Sequence, residues 1–205
     1  MMYDPLRNYL REWTTLPEDG FERIEALAVC GHLRKRQILL QEGEITRTHS
    51  FIIKGCVRMF RVGENGVEHN IRFAMESSWI TDPESFSLGI PAKSTISCLT
   101  DTEILQWSKE NFDKLQDELP AFRAFHDQWL ITSVGNTSTR VFQNISLSTE
   151  ERYEQFLATY PGLINRIPLQ MVASYLGVAT KTLTRLRSRK YRNTYSAYHR
   201  TAKSA

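Results

Sequence analysis

The residues best suited to chemistry lie in the last quarter of the sequence and are cationic or hydroxylic. Residues 155–205 contain nine Lys or Arg and no Asp or Glu, whereas residues 1–154 contain 17 basic and 23 acidic residues. A basic segment on an acidic body is typical of a polyanion-binding protein, because neutralised phosphates release their condensed counterions. A solvated basic tail without a partner is the alternative that charge alone leaves open.

Residues 168–189 have the spacing of two short helices joined by a sharp turn. Pro168 suits a first helical turn, and Gly177 occupies the position where the chain needs a positive φ. Ala173 is small where the second helix would cross the first. The other inward positions are apolar, namely Val172, Leu176, Val178, Leu183 and Leu186. The spacing predicts a helix-turn-helix, with an ordinary helical hairpin as the alternative.

The outward positions of the second helix carry side chains that form hydrogen bonds. Lys181 and Arg185 suit guanine O6 and N7 in a major groove. Thr180 and Thr184 suit phosphate or a thymine methyl group, with Ser188 as a further outward residue. Cations that follow would hold the DNA backbone. The full set of expected DNA-binding residues is Thr180, Lys181, Thr182, Thr184, Arg185, Arg187, Arg189 and Lys190, with Arg192 as a further backbone contact.

The elements that must position this segment begin with a short helix and a β region. Residues 16–28 have helical spacing, and residues 29–107 form short runs rich in Ile, Val, Phe and Thr, broken by glycines. Several short strands at this spacing predict a barrel or jelly roll. Cys56–Val62 and residues 67–73 form the clearest hairpin, since Asn65-Gly66 supplies positive φ angles. Residues 94–98 and 103–107 are expected to form another adjacent pair.

Helices are expected again from residue 109 onward. Ser108 is a plausible N-cap for residues 109–119, and a longer helix follows Pro120 to about residue 144. Ser148 and Glu151 have the spacing of a capping box that opens another helix. A mixed stripe on the long helix either packs on the sheet or forms a dimer seam, two readings of equal weight. Its members are Phe122, Phe125, Trp129, Thr132 or Ser133, Asn136 and Arg140.

Composition disfavours metal, membrane and enzyme functions. The three cysteines, Cys30, Cys56 and Cys98, lie far apart with no C-x-x-C pair for zinc, and we expect buried or inert thiols. No stretch approaches the roughly 18 apolar residues of a membrane span, and the start lacks the flanks of a secretory signal, so we expect a cytoplasmic protein. A cupin-like metal enzyme would need two His and a Glu in close array, but Glu68-His69 stands alone.

The chain resembles the CRP/FNR family of bacterial transcription regulators over nearly its whole length. The resemblance rests on Gln41-Glu42-Gly43-Glu44, on residues 51–60, on residues 65–68 and on the C-terminal motif described above. Residues 150–153, 160–161, 166–168 and 176–178 look especially like the branch common in Bacteroidetes.

This resemblance implies an α+β architecture with three parts. Residues 1–119 would form a cyclic-nucleotide-binding-like β-roll, residues 120–146 a connecting and dimerisation helix, and residues 147–205 a helix-turn-helix DNA-binding domain. It implies a non-enzymatic homodimer that binds double-stranded DNA, with RNA polymerase as a candidate further partner and no membrane partner. A non-specific nucleic-acid-binding protein remains the main alternative, because the basic tail alone would also serve that function.

Departures from the family pattern limit what the resemblance implies about ligands. Nucleotide-binding members have a Gly-Glu pair and, ten residues after the Glu, an Arg beside Ser or Thr. In this chain Thr81-Asp82 takes the place of the Gly-Glu pair, and residues 92–95 take the place of the Arg and its neighbour. Lys93 does not reproduce a bidentate guanidinium, so we expect no cyclic AMP binding. A different small-molecule effector, or a pocket filled by side chains, stays open. The candidate effector residues are Asp82, Lys93, Ser94 and Thr95.

Two further departures concern cofactors and DNA. Only Cys30 lies where redox-sensing members hold an iron–sulfur cluster, and no His has the context of a haem ligand; no cofactor and no metal site are expected. Lys181 stands where the family commonly has Glu, so the preferred operator should differ from the usual half-site. The wing hairpin that often follows the recognition helix is not evident in residues 191–205.

Overall fold

The computed structural model describes residues 2–189. The chain divides into two compact units, with the boundary between Arg140 and Val141. The first unit is a β-roll with helices against one side, as the fold class predicted. Its strands are β1 (Val29–Leu33), β2 (Ile38–Leu40), β3 (Thr48–Lys54), β4 (Cys56–Val62), β5 (Glu68–Met75), β6 (Ser78–Ile80), β7 (Thr95–Cys98) and β8 (Thr102–Ser108).

The strands form two antiparallel four-stranded sheets, ordered β1-β8-β3-β6 and β2-β7-β4-β5. Between them lies an aliphatic core that includes Ile52, Val57 and Ile96. The β4–β5 hairpin is confirmed, with Val57 opposite Ala74 and Val62 opposite Glu68. Its loop needs a positive φ only at Gly66, at 75°, and not at Asn65 as well.

The prediction that residues 94–98 and 103–107 are an adjacent pair was wrong. β7 pairs with β2 and β4 in one sheet, whereas β8 pairs with β1 and β3 in the other. The intervening turn therefore carries the chain from one sheet to the other. Two strands close in sequence need not pair when each has a longer-range partner that covers its apolar face.

Two helices precede the roll, α1 (Asp4–Trp13) and α2 (Glu18–Ala26). The sequence analysis predicted α2 and gave no helix at α1. Leu6 and Leu10 of α1 are buried in an aromatic-rich core on the outer side of the β1-β8-β3-β6 sheet. Trp107 on β8 donates its indole hydrogen to the Ile24 carbonyl at 2.8 Å, which ties α2 to the sheet.

A short helix, α3 (Pro83–Leu88), lies between β6 and β7, and two helices follow the last strand, α4 (Lys109–Glu118) and α5 (Pro120–Ser146). Ser108 caps α4 as predicted, since its hydroxyl accepts from the Asn111 amide at 3.2 Å. The apolar part of the predicted stripe, Phe122, Phe125 and Trp129, is buried in the core of the first unit. That stripe therefore packs against the roll, the first of the two readings.

The second unit contains α6 (Thr149–Thr159), a 3₁₀ turn (Leu163–Asn165), α7 (Leu169–Leu176) and a helix through residues 180–189, called α8 below. The predicted capping box is present, because the Ser148 hydroxyl accepts from the Glu151 amide and the Glu151 carboxylate accepts from the Ser148 amide. Tyr153, Phe156 and Leu163 are buried in this unit. Nowhere in residues 2–189 is a helix long and apolar enough to cross a membrane.

Candidate nucleic-acid interface

The turn between α7 and α8 depends on Gly177. Its φ of 66° is left-handed, and its amide donates to the Ala173 and Ser174 carbonyls. The Val178 amide also donates to the Ala173 carbonyl, at 3.0 Å, so the chain reverses within three residues. A left-handed residue at this position satisfies carbonyls that the helix end would otherwise leave unpaired.

The inner faces of α7 and α8 form a small core, although two of the predicted inward residues, Val178 and Leu186, are only half-buried. Val172 and Leu183 are 0% exposed, and Ala173 is 1% exposed. The short Ala173 side chain allows the two helices to approach closely at the crossing. Leu183 fixes which face of α8 points inward.

The opposite face of α8 is exposed and cationic. At about 100° per residue, Lys181 and Arg185 lie about 160° from Leu183, and Thr184 lies about 100° from it on the side of this face. The structure exposes each side chain of the predicted set that falls within residues 180–189, together with Ser188; these are Thr180, Lys181, Thr182, Thr184, Arg185, Arg187, Ser188 and Arg189.

Hydroxyl groups on this face are engaged with the helix backbone. The Thr184 hydroxyl donates to the Thr180 carbonyl at 3.1 Å, and the Ser188 hydroxyl donates to the Thr184 carbonyl at 3.0 Å. With its hydrogen used in this way, Thr184 presents a methyl group and an acceptor oxygen outward. That arrangement suits a thymine methyl better than a phosphate oxygen, which needs a donor.

Three of the cations predicted to contact DNA, Arg189, Lys190 and Arg192, differ from the others. Arg189 forms an ion pair with Glu150 of α6, so a phosphate would have to compete with that carboxylate. Lys190 and Arg192, together with the residues expected to lack a wing hairpin, 191–205, lie outside the described residues.

Arg152 supports the motif from outside it, and the sequence analysis did not identify it as a functional residue. Its guanidinium Nη1 donates to the Leu176 carbonyl at 2.8 Å, at the last turn of α7. A cation is favourable at a helix C-terminus, where unpaired carbonyls concentrate negative charge. The only sequence signal would have been its position next to the capping box.

The candidate effector residues are placed around α3 and the start of β7, and each has a partner within the protein. Asp82 caps α3 by accepting from the Ser85 amide at 3.1 Å. Lys93 is exposed and pairs with both Glu84 oxygens at 2.9 Å. The Ser94 hydroxyl accepts from Arg61 Nε at 3.2 Å. The Thr95 hydroxyl accepts from the Glu42 amide at 3.1 Å.

A cavity of about 530 Å³ lies between the two sheets, next to this region. None of the four candidate effector residues lines it. Its polar lining instead includes Thr46, Arg47 and Thr81, and its apolar lining includes Leu40 and Ile96. The Thr46 hydroxyl is buried without a hydrogen-bond partner among the residues that the structure describes.

Known proteins share the architecture of this chain. Residues 31–118 match the cyclic nucleotide-binding domain family. CLP, the c-di-GMP-responsive global regulator of Xanthomonas campestris, superposes with a TM-score of 0.70 at 14% identity over 87% of this chain and 93% of its own. FixK2 from Bradyrhizobium japonicum gives a TM-score of 0.70 at 15% identity over 82% and 86% of the two chains.

A protein from Eubacterium rectale, described as a transcriptional regulator of the CRP/FNR family, gives a TM-score of 0.67 at 17% identity over 87% of this chain and 85% of its own. The chain has the CRP/FNR regulator fold. No curated protein matches it in sequence. The resemblance inferred from short motifs is thereby confirmed at the level of the fold.

The structure shows the surroundings of the two residues at which this sequence differs from nucleotide-binding members of the CRP/FNR family. Thr81 stands in place of the family's Gly, and it is 2% exposed with its hydroxyl donating to the Thr48 carbonyl at 3.3 Å. Ala92 stands in place of the family's Arg and is 3% exposed. A hydroxyl and a methyl group thus occupy the positions at which the resemblance to nucleotide-binding members implies Gly and Arg.

Proposed function

We propose that this protein is a homodimeric transcription regulator that reads double-stranded DNA with α8 and does not respond to cyclic AMP. The observation that carries the proposal is the two-sided character of α8, with Leu183 fully buried and Lys181 and Arg185 exposed opposite it. A recognition helix needs both properties, because one face must anchor it and the other must reach base edges. Comparison proteins with the same fold support the role.

The proposed dimer uses the face of α5 that lies opposite Phe122, Phe125 and Trp129 around the helix axis. Five large apolar side chains there are between 54% and 81% exposed, namely Ile131, Val134, Val141, Phe142 and Ile145. With Ser138, the series 131, 134, 138, 141 and 145 alternates steps of three and four, the spacing of a coiled-coil seam. We call this series, Ile131, Val134, Ser138, Val141 and Ile145, the α5 seam. A second copy fits it best, because a two-fold axis would match the seam with itself.

Selection from a random duplex pool at about 0.15 M salt, with full-length protein and no added ligand, tests the proposal. We expect enrichment of a two-fold symmetric motif whose half-sites lie about one helical turn, roughly 34 Å, apart. A sequence-specific regulator stays bound to its best site when random duplex is added in excess, whereas a non-specific nucleic-acid-binding protein is displaced from that site by the competitor. Salt-sensitive binding without enrichment would favour that second function.

Calorimetry with cyclic AMP tests the ligand part of the proposal separately. We expect no binding heat, because Thr81 and Ala92 replace the groups that hold cyclic phosphate, and because Lys93 is paired with Glu84. Micromolar affinity for cyclic AMP would contradict this part and leave the DNA-binding part intact.

A further inference from the structure

A second cavity, separate from the one between the sheets, lies in the first unit where α1, the β5–β6 turn and α5 meet. Its volume is about 240 Å³. No residue that we assigned to DNA, to the α5 seam or to the family's nucleotide site lines it. We propose that this cavity binds a small planar aromatic acid.

The walls of the cavity are aromatic. Trp79 and Phe125 lie with ring centroids 6.1 Å apart, and Trp129 is 8% exposed beside them. Tyr9 and Trp13 of α1 complete the lining on the other side, and Trp13 is half exposed, which places it at the mouth. Aromatic side chains in the wall of a cavity favour a planar aromatic ligand, because aromatic rings attract one another in stacked or edge-to-face contacts.

The charge of the cavity favours an anion. Of the described residues that line it, none is acidic and only Arg72 carries a full charge. The Arg72 guanidinium carbon lies 5.7 Å from the Trp129 ring centroid, and Nη2 donates to the Trp79 carbonyl at 3.2 Å. These contacts hold the guanidinium in the aromatic wall, and a guanidinium has the planar donor geometry that matches a carboxylate.

Uncharged polar side chains complete the lining. Ser133 and Asn136 of α5 and Ser77 of the β5–β6 turn lie in the wall with Arg72. Their hydroxyl and amide groups can form hydrogen bonds with a carboxylate or a ring hydroxyl without repelling an anion.

The size of the cavity limits the ligand to one or two rings. Pockets for drug-sized ligands usually measure about 300–1,000 Å³, so a cavity of about 240 Å³ suits a smaller molecule. A monocyclic or indole-type carboxylic acid would fill it with its ring between the aromatic walls and its carboxylate at Arg72.

Titration of the full-length protein with benzoate, 4-hydroxybenzoate and indole-3-carboxylate tests the proposal by tryptophan fluorescence. Three of the four tryptophans, Trp13, Trp79 and Trp129, line the cavity. We expect saturable quenching by at least one acid with a dissociation constant below about 1 mM. Benzamide, which has benzoate's shape without its charge, should bind about tenfold more weakly than benzoate.

Variants locate the site. Arg72→Gln should weaken binding of the acid about tenfold or more, and Ser133→Phe should abolish it by filling the cavity. Lys93→Gln removes a cation elsewhere in the same unit and should leave the affinity unchanged. Absence of saturation by all three acids, equal binding of benzamide, or unchanged affinity in folded Ser133→Phe would overturn the proposal. Because benzamide is compared on unaltered protein, the test does not depend on the variants folding.

Discussion

Lys181 and Arg185 lie one helical turn apart on the exposed face of α8. Operators of different DNA sequence can test whether each side chain reads a base. We expect Lys181→Ala and Arg185→Ala each to lose about 1–3 kcal/mol of binding to the preferred operator. The loss should largely vanish on an operator changed at the one base pair that the side chain contacts. Equilibrium binding to a panel of single-base operator variants measures both effects.

Arg187 supplies the matched comparison for those substitutions. It is exposed at the edge of α8, where we assign it to the DNA backbone. Arg187→Ala should therefore weaken binding by a similar factor on every sequence and reduce the salt dependence. If Lys181→Ala and Arg185→Ala behave in the same uniform way, neither residue reads a base.

His49 is a titratable residue buried inside the first unit. Its ring stacks on Phe112 at 4.7 Å between centroids, and neither ring nitrogen has a hydrogen-bond partner within the described chain. Burial lowers the pKa of His49 well below its ordinary 6.5, and the positive charges of His126 and Arg72 lower it further. The neighbouring His126 also has a lowered pKa, again mainly through burial.

These shifts make the stability of the first unit pH-dependent. At pH above about 6.5 both histidines are neutral in the folded and unfolded chains, so neither alters the balance. As the pH falls below 6.5 the unfolded chain binds protons that the folded chain does not, and the free energy of unfolding should drop by up to about 1.4 kcal/mol per pH unit for each group. Urea unfolding at pH 7.5, 6.5 and 5.5 measures this slope.

His49→Phe should flatten that slope, because phenylalanine keeps the stack on Phe112 and cannot be protonated. No hydrogen bond within residues 2–189 is lost by the exchange. His32→Gln is the control, since His32 is exposed on β1 and should leave the slope unchanged. A slope that stays the same in His49→Phe would show that other groups control acid unfolding.

At the scale of the element, the turn at Gly177 sets the angle between α7 and α8. No atom lies within 4 Å of the position a Cβ would take there, so substitution is limited by backbone conformation and not by crowding. Gly177→Ala should cost about 1–2 kcal/mol of stability, the penalty of a left-handed non-glycine residue. Gly177→Asn should cost less, because asparagine tolerates that conformation.

Thermal unfolding of the two variants, alongside operator binding, checks the order Gly, Asn, Ala. The expected loss of DNA affinity follows the same order, because a strained turn would misalign α8. An alanine variant as stable as the asparagine variant would mean that the turn does not depend on the left-handed conformation.

The sequence predicted correctly the structural features that a few neighbouring residues determine. The capping box of Ser148 and Glu151, the Ser108 cap and the turn at Gly66 each depend on a few neighbouring residues, and all three are present. The separation of β7 from β8 was not predictable in this way, because it depends on pairing with β2, β4, β1 and β3 from distant parts of the chain.

The two faces of α5 illustrate the same limit at the functional site. The aromatic residues at its start and the aliphatic residues at its end both have helical spacing, and the sequence does not say which face the roll covers. The structure buries Phe122, Phe125 and Trp129 and leaves the α5 seam exposed. Arg140 of the buried face donates to the Ile71 carbonyl of β5, a contact that no sequence pattern indicated.

At the scale of the whole molecule, the proposed dimer would couple the α5 seam to the DNA-binding role proposed for α8. A two-fold operator requires two recognition helices per complex, and a single chain supplies one. Exposed aliphatic side chains in a coiled-coil spacing are costly in water, so association of two seams would be driven by burial of that apolar surface. Specific DNA binding should therefore depend on residues of α5 that never approach DNA.

The double substitution Ile131→Glu and Val134→Glu tests this dependence. Like charges buried across the two-fold axis should raise the dimer dissociation constant by about a hundredfold or more, measured by sedimentation of full-length protein. Affinity for the symmetric operator should fall with it, whereas weak binding to an isolated half-site should remain, because α8 is unchanged. Thr139→Glu adds a charge on an exposed position of α5 away from the seam and should leave both quantities unaltered. A parent protein that sediments as a monomer at micromolar concentration would contradict the proposed dimer. A double variant that stays dimeric would place the dimer interface outside the α5 seam.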